Sequence, residues 1–297
     1  MHLAMLVATV CWAANIVAGK EALTGFGPLA LAQLRVLGAA LVFTIALLAG
    51  RGWPRWNLTF REWMLLALIA ANGITLNQLF FIGGLARTSV AHTGLIVALG
   101  PVMTLVLACL MRMESLTALK FAGMLISFSG VGILTADKAA GSEGEHLIGD
   151  LLLLAGAAVF AYYTILVKQV AERLDALALN ALTFGMGTLL MMPFSARALL
   201  HVGWAALPAR AWWALAFMVI LGSVVPYLIF ARALTTLAAS RVAAFSYLQP
   251  VIASSLGIWL LAERLTVMVV SGGALILLGV YLTERERNGR VTDSVTH

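Results

Sequence analysis

The sequence predicts an all-α integral membrane protein with ten transmembrane helices in two inverted five-helix repeats. Three observations lead there: an apolar composition, ten apolar runs of membrane length, and a residue spacing that recurs 149 positions later.

Of the 297 residues, 62% are apolar and 11% charged, and the mean hydropathy is +0.99. Soluble chains carry about 45–50% apolar and about 25% charged residues, so a soluble globular domain is excluded. Disorder is excluded too, because it needs low hydrophobicity and high charge. The partner of most of this surface is therefore a lipid bilayer. The net charge of +6 predicts no nucleic-acid partner; Lys and Arg in loops orient spans in a membrane. Cys11 and Cys109 fall inside apolar runs, without metal-ligand spacing, and read as small apolar fillers.

A helical crossing needs about 20 mostly apolar residues. Runs of that kind lie at 3–23, 28–49, 62–84, 89–111, 117–136, 148–169, 176–200, 210–233, 239–262 and 265–283. The first run reads as part of the fold and not as a signal peptide. Only His2 precedes it, and its Trp12 and Asn15 have counterparts later in the chain. Asn57-Leu58-Thr59 matches a glycosylation sequon, but it sits in a short basic loop assigned to the cytoplasm. The longest polar insert, Asp137 to Asp150, lies near the midpoint. It divides the chain into a first repeat (1–137), a linker (138–147), a second repeat (148–284) and a charged cytoplasmic tail (285–297).

The repeat is read from spacing. Pro101, Glu114, Gly123 and Gly130 recur as Pro250, Glu263, Gly272 and Gly279. Gln78 to Phe81 lies on Tyr227 to Phe230. At an offset of 148, Trp12 lies on Phe160, Asn15 on Tyr163 and Lys20 on Lys168. Five spans per repeat is an odd number, so the second copy enters the membrane upside down. Such repeats place a substrate site near the midplane and support alternating access; a channel or a lipid scramblase can use the same architecture. With both termini in the cytoplasm, twelve Lys and Arg fall inside and six outside, which favours that orientation.

Pro101 and Pro250 sit midway along the fourth and ninth runs. A proline there removes a donor and kinks the helix, and Gly100 loosens the same turn. The pair reads as hinges, or as static kinks that shape a cavity. Trp12 and Asn15 share a helix face, as do Phe160 and Tyr163. Asn77 and Gln78 lie opposite Pro226 and Tyr227 in the repeat, Phe81 opposite Phe230, and Tyr247 and Gln249 precede Pro250. Polar groups inside a span face the interior. Aromatics with amides suit a neutral or zwitterionic solute; interhelical glue is the alternative. His92 reads as a proton-sensitive gate or an interfacial residue. Arg35, inside the second run, either draws a substrate carboxylate or pairs structurally. Glu114 and Glu263 are expected to cap the next helix and to pair with Arg112 and Arg264. Gly123, Gly130, Gly132, Gly272, Gly273 and Gly279 should let spans five and ten approach closely.

No Asp or Glu appears mid-run, which disfavours a carboxylate-driven antiporter. There is no P-loop, His-Glu-x-x-His or Gly-x-Ser-x-Gly, so neither an enzyme nor a cofactor is expected.

Several of these segments carry a resemblance. Cys11-Trp12-Ala13-Ala14-Asn15 with Lys20, Leu99-Gly100-Pro101 through Glu114 to Gly130, and Leu248-Gln249-Pro250 through Glu263 to Gly279 resemble the EamA family of the drug/metabolite transporter superfamily. That family usually has Gly where this chain has Ala13. The resemblance covers about residues 1–284. It implies export of small metabolites, often amino acids, across a bacterial inner membrane, as by the YddG-type aromatic amino acid exporters. It also implies a central cavity formed by helices 1, 3, 4 and 9 with 6 and 8 opposing. The expected substrate site comprises Trp12, Asn15, Asn77, Gln78, Phe81, His92, Phe160, Tyr163, Tyr227, Tyr247 and Gln249, with Gly100, Pro101 and Pro250 as hinges. Facilitated export of a small molecule by a monomer is the expected mode. A phosphorylated-metabolite or nucleotide-sugar antiporter using Lys20 and Lys168, or a drug or lipid transporter, is the alternative.

Overall fold

The computed structural model describes residues 1–51, 58–112, 116–136, 145–170, 174–236, 242, 245–263 and 265–293. No strand occurs among them. The α-helices are α1 (His2–Ala22), α2 (Pro28–Arg51), α3 (Phe60–Ile69), α4 (Asn77–Leu85), α5 (Val90–Val97), α6 (Gly100–Leu110), α7 (Ala118–Thr135), α8 (Glu145–Val170), α9 (Ala176–Leu200), α10 (Ala209–Val219), α11 (Val225–Thr236), α12 (Gln249–Leu261) and α13 (Val267–Asp293). A π-helical stretch, Ala70–Leu76, joins α3 to α4, and a second, Ile220–Val224, joins α10 to α11. Among the described residues seven helical stretches are long and apolar enough to cross a membrane, with α3 to α4, α5 to α6 and α10 to α11 each taken as one, and Ala118–Leu134, Gln249–Leu261 and Val267–Leu282 are shorter apolar helices.

Local chemistry sets the ends. Thr59 caps α3 reciprocally: its Oγ1 accepts from the Glu62 N–H, and Glu62 Oε2 accepts from the Thr59 N–H at 2.8 Å. Thr59 of the sequon is thus a helix cap; Asn57 lies outside the described residues. Asp175 caps α9 by accepting from Ala178 N–H at 2.8 Å. The interior is mostly apolar with a minority of buried polar side chains, and the outer surface carries many large apolar ones. Ile45, Leu189 and Trp213 are exposed, whereas Gln33, Asn180, Thr183 and Ser195 are buried. Buried polar groups pair across helices: Ser195 Oγ donates to Gln33 Oε1 at 2.7 Å, and Gln33 Nε2 donates to the Thr188 carbonyl at 3.3 Å, which ties α2 to α9.

The tightest backbone approach joins α7 to α13. A Cβ on Gly130 would stand 2.6 Å from the Gly272 carbonyl oxygen, and one on Gly272 would stand 2.8 Å from the Gly130 oxygen. Glycine is required there by contact, as expected of Gly130, Gly272 and Gly279, whereas Gly132 has nothing within 4 Å of a Cβ and Gly273 meets Leu95 of α5.

Four features depart from the sequence reading. The prolines do not kink continuous helices; they begin new ones. α5 stops at Val97 and α6 starts at Gly100 with Pro101 in its first turn. A 3-10 turn, Phe245–Leu248, precedes α12, whose first turn holds Pro250. A first-turn N–H has no intrahelical acceptor, so a proline costs nothing there. Second, Asp150 belongs to no loop: it is the sixth residue of α8 and is 1% exposed. Its polar neighbours disguised it as the end of the polar insert Asp137 to Asp150, whose residues 137–144 lie outside the described ones. Third, Glu263 caps α5 of the first half instead of the helix that follows it; Glu114 and Arg264 lie outside the described residues. Fourth, the charged tail continues α13 as helix to Asp293.

Candidate functional site

A cavity of about 1040 Å³, counting its open mouth, lies among α1, α2, α4, α6, α8, α11 and the start of α12. α1 offers Thr9, Trp12 and Asn15, spaced to share one face. α4 offers Asn77, Gln78 and Phe81; α6 offers Gly100, Pro101 and Thr104; α8 offers Phe160 and Thr164; α11 offers Tyr227 and Phe230. Phe245 and Gln249 close one end, and Arg35 of α2 reaches the wall from behind.

Six aromatic residues stand in the wall: Trp12, Phe81, Phe160, Tyr227, Phe230 and Phe245. Trp12 meets Phe160, Tyr227 and Phe230 edge-on, with centroids 6.1, 6.0 and 5.6 Å away. Offset and edge-on contacts suit the ring quadrupoles. Tyr163 supports this box from outside the wall, stacked on Phe230 at 6.2 Å with its own ring against Gly73.

Both π-helical stretches border the box. Such turns are uncommon and recur at functional sites. In the first, the Gly73 carbonyl accepts from the Tyr227 hydroxyl at 3.4 Å. In the second, the reason for an unusual partner is covalent. Pro226 has no N–H to give the Gly222 carbonyl four residues back. Arg35 Nη2 donates to that carbonyl at 2.9 Å, and Arg35 Nε donates to Ser223 Oγ at 2.9 Å. Asn15 packs its amide oxygen against Gly222, where a Cβ would collide with it.

The amides divide between two jobs. Asn77 Nδ2 donates to the Gly156 carbonyl at 3.2 Å and so holds α4 on α8, while Gln78 Nε2 donates to Asn77 Oδ1 at 3.4 Å. Asn15 Oδ1 and Gln78 Oε1 are buried and have no hydrogen-bond partner.

Of the expected site residues, Trp12, Asn15, Asn77, Gln78, Phe81, Phe160, Tyr227 and Gln249 stand in this wall, with Gly100 and Pro101. Tyr163 stands behind it. Pro250 is buried at the start of α12 and is not part of the wall. The Tyr247 side chain lies outside the described residues. His92 is elsewhere: its Nδ1 is 3.2 Å from Asp150 Oδ2, both side chains are buried, and Thr88 Oγ1 donates to Asp150 Oδ1 at 2.9 Å. Sequence reasoning passed over Thr9, Thr104 and Thr164. Their positions, three before Trp12, three after Pro101 and four after Phe160, were the available signal. Each hydroxyl donates to the carbonyl four residues back in its own helix, so the wall is less polar than its composition. Among the described residues no cluster of His, Cys, Asp or Glu could hold a metal.

The profile of the EamA-like transporter family matches residues 1–136 and 147–285. An uncharacterised transporter of Archaeoglobus fulgidus is 26% identical over 97% of this chain and 98% of its own. A probable terminal-alkyne amino-acid exporter of Streptantibioticus cattleyicolor is 26% identical over 99% and 96%. The uncharacterised transporter YvbV of Bacillus subtilis is 29% identical over 94% and 89%. One solved crystal structure superposes with a TM-score of 0.64 at 18% identity, over 94% of each chain, which is a likeness of fold.

Proposed function

The chain belongs to the EamA-like transporter family, and on that premise we propose that it exports amino acids, aromatic ones among them, and similar small metabolites across a bacterial inner membrane. In this reading the seven long and three shorter apolar helices are ten spans, arranged as two inverted halves at 1–137 and 148–284. Both termini lie in the cytoplasm, and a monomer is the working unit. Transport proceeds by alternating access, with Gly100-Pro101 and Pro250 as hinges at the two helix restarts.

The observation that carries the reading is the cavity lined by Trp12, Phe160, Tyr227 and Phe230 beside the amides of Asn15 and Gln78. Stacking area next to hydrogen-bonding groups fits a side chain with a polar head. The name of the Streptantibioticus relative gives further support. Lys20 and Lys168, which a phosphate carrier would need, are not among the residues of this wall. The buried Asp150–His92 pair also stands apart from it, in keeping with flux down the solute gradient.

The test is uptake of a radiolabelled amino acid panel into proteoliposomes, with and without an imposed pH gradient. Saturable flux of aromatic or branched amino acids, indifferent to the gradient, is expected. Gradient-dependent flux would replace facilitation with proton coupling and move attention to His92 and Asp150. No amino acid flux would remove the substrate class.

A further inference from the structure

Arg35 carries a charge that its protein neighbours do not neutralise. The side chain is 2% exposed. Nε and Nη2 are taken by two neutral acceptors, Ser223 Oγ and the Gly222 carbonyl. Nη1 is buried without a partner. The Phe81 ring lies 5.8 Å from Cζ. No carboxylate among the described residues forms an ion pair with it. A cation inside a membrane-spanning helix is costly unless something pairs with it. If the task were only to satisfy Gly222 and Ser223, a neutral amide would serve.

Two unpaired acceptors stand in the same cavity wall as this donor. Asn15 Oδ1 lies against Gly222, whose carbonyl receives Arg35, and Gln78 Oε1 is likewise buried and unpaired. Buried polar atoms left unmatched are penalised, and these three belong to residues of one cavity wall, so a single occupant can match all of them. It must accept at one end, donate at the other and carry negative charge on the accepting end.

The geometry points to Arg35 Nη1 as the carboxylate reader of a zwitterionic solute whose ammonium donates to Asn15 Oδ1 and Gln78 Oε1. The solute's side chain lies among Trp12, Phe160 and Phe230. This rests on the export reading only in making the occupant the transported solute. It narrows the substrate to free α-amino acids. Amines and esters lack the carboxylate, and a diphosphate needs more positive charge than one guanidinium nitrogen offers.

Equilibrium binding to the full-length protein in nanodiscs tests it, with four probes: L-phenylalanine, L-phenylalanine amide, 3-phenylpropionate and phenethylamine. Phenylalanine should bind best. The amide and phenethylamine should bind about 10- to 100-fold more weakly, the effect of a lost charge-assisted hydrogen bond. Arg35→Gln should erase the preference for acid over amide, and Arg35→Lys should keep part of it. Equal binding of acid and amide by the unaltered protein overturns the assignment, whether or not either variant folds. Intact discrimination in Arg35→Gln overturns it as well. Carboxylate-selective binding with no flux in proteoliposomes would keep the assignment and remove the export reading. Amino acid flux without carboxylate selectivity would do the reverse.

Discussion

The Glu263 carboxylate accepts a hydrogen bond from the backbone N–H of Val90 at 2.8 Å, across 173 residues of sequence. Its other oxygen accepts from Ala91 N–H at 3.2 Å, and Ser89 Oγ accepts from His92 N–H at 3.1 Å. The first three N–H groups of α5, which no turn of helix can satisfy, therefore all have partners, and the negative charge suits that end of the helix dipole. Glu263→Ala should cost about 1–3 kcal/mol, read as a lower midpoint of thermal unfolding in detergent. Glu263→Gln, which keeps one acceptor, should cost less. Equal midpoints for all three proteins would mean the contact contributes nothing.

Gly130 and Gly272 bring two backbones together, so bulk at either position has nowhere to go. Gly130→Val should destabilise by at least about 1–3 kcal/mol, the range for overpacking. Gly132 has nothing within 4 Å of a Cβ, so Gly132→Ala should leave the unfolding midpoint unchanged. A tolerated Gly130→Val would contradict the packing between α7 and α13.

Trp12 touches three other rings of the box. An aromatic pair adds about 0.5–1.5 kcal/mol beyond buried area. Trp12→Ala should therefore raise KM for an aromatic amino acid roughly 2- to 12-fold relative to alanine in the same vesicles. An unchanged ratio between the two substrates would take Trp12 out of the solute's path.

Pro101 and Pro250 each stand in the first turn of a helix. Replacing both by Ala allows each helix to extend back into the turn that precedes it. Maximal flux should fall on the order of tenfold while binding stays within about twofold, the pattern of a conformational step. Flux at the level of the unaltered protein would show that the breaks are fixed shapes and not hinges.

Much of the architecture was legible in the sequence because lipid imposes length on apolar runs. The glycines between α7 and α13 were legible because backbone contact admits one residue type. The aromatic box was legible because Trp12 and Phe160 stand on interior faces at helical spacing. What was not legible depended on tertiary partners. Asp150 looked like the end of the polar insert because charged residues precede it, yet its oxygens are held by Thr88 and His92 of another part of the chain. Glu263 looked like a local cap because nothing in the sequence marks Val90 as its neighbour. The role of Arg35 needed Gly222 and Ser223 to be seen beside it, since its two acceptors lie 187 and 188 residues away in the chain.

The two π-helical stretches also set the phase of everything that follows them. A π turn packs one residue more into a helix than the α repeat holds. Each α residue advances the helix by about 100°. Asn77, Gln78 and Phe81 follow Ala70–Leu76, and Tyr227 and Phe230 follow Ile220–Val224. Removing one residue from either stretch would let it relax to α-helix and turn those side chains by about a quarter of a circle. The chain would keep its length in the membrane and its apolar composition, but the lining residues after the deletion, three from α4 or two from α11, would be dialled round away from the cavity. Composition admits this chain to the bilayer; two surplus residues determine which way its cavity side chains face.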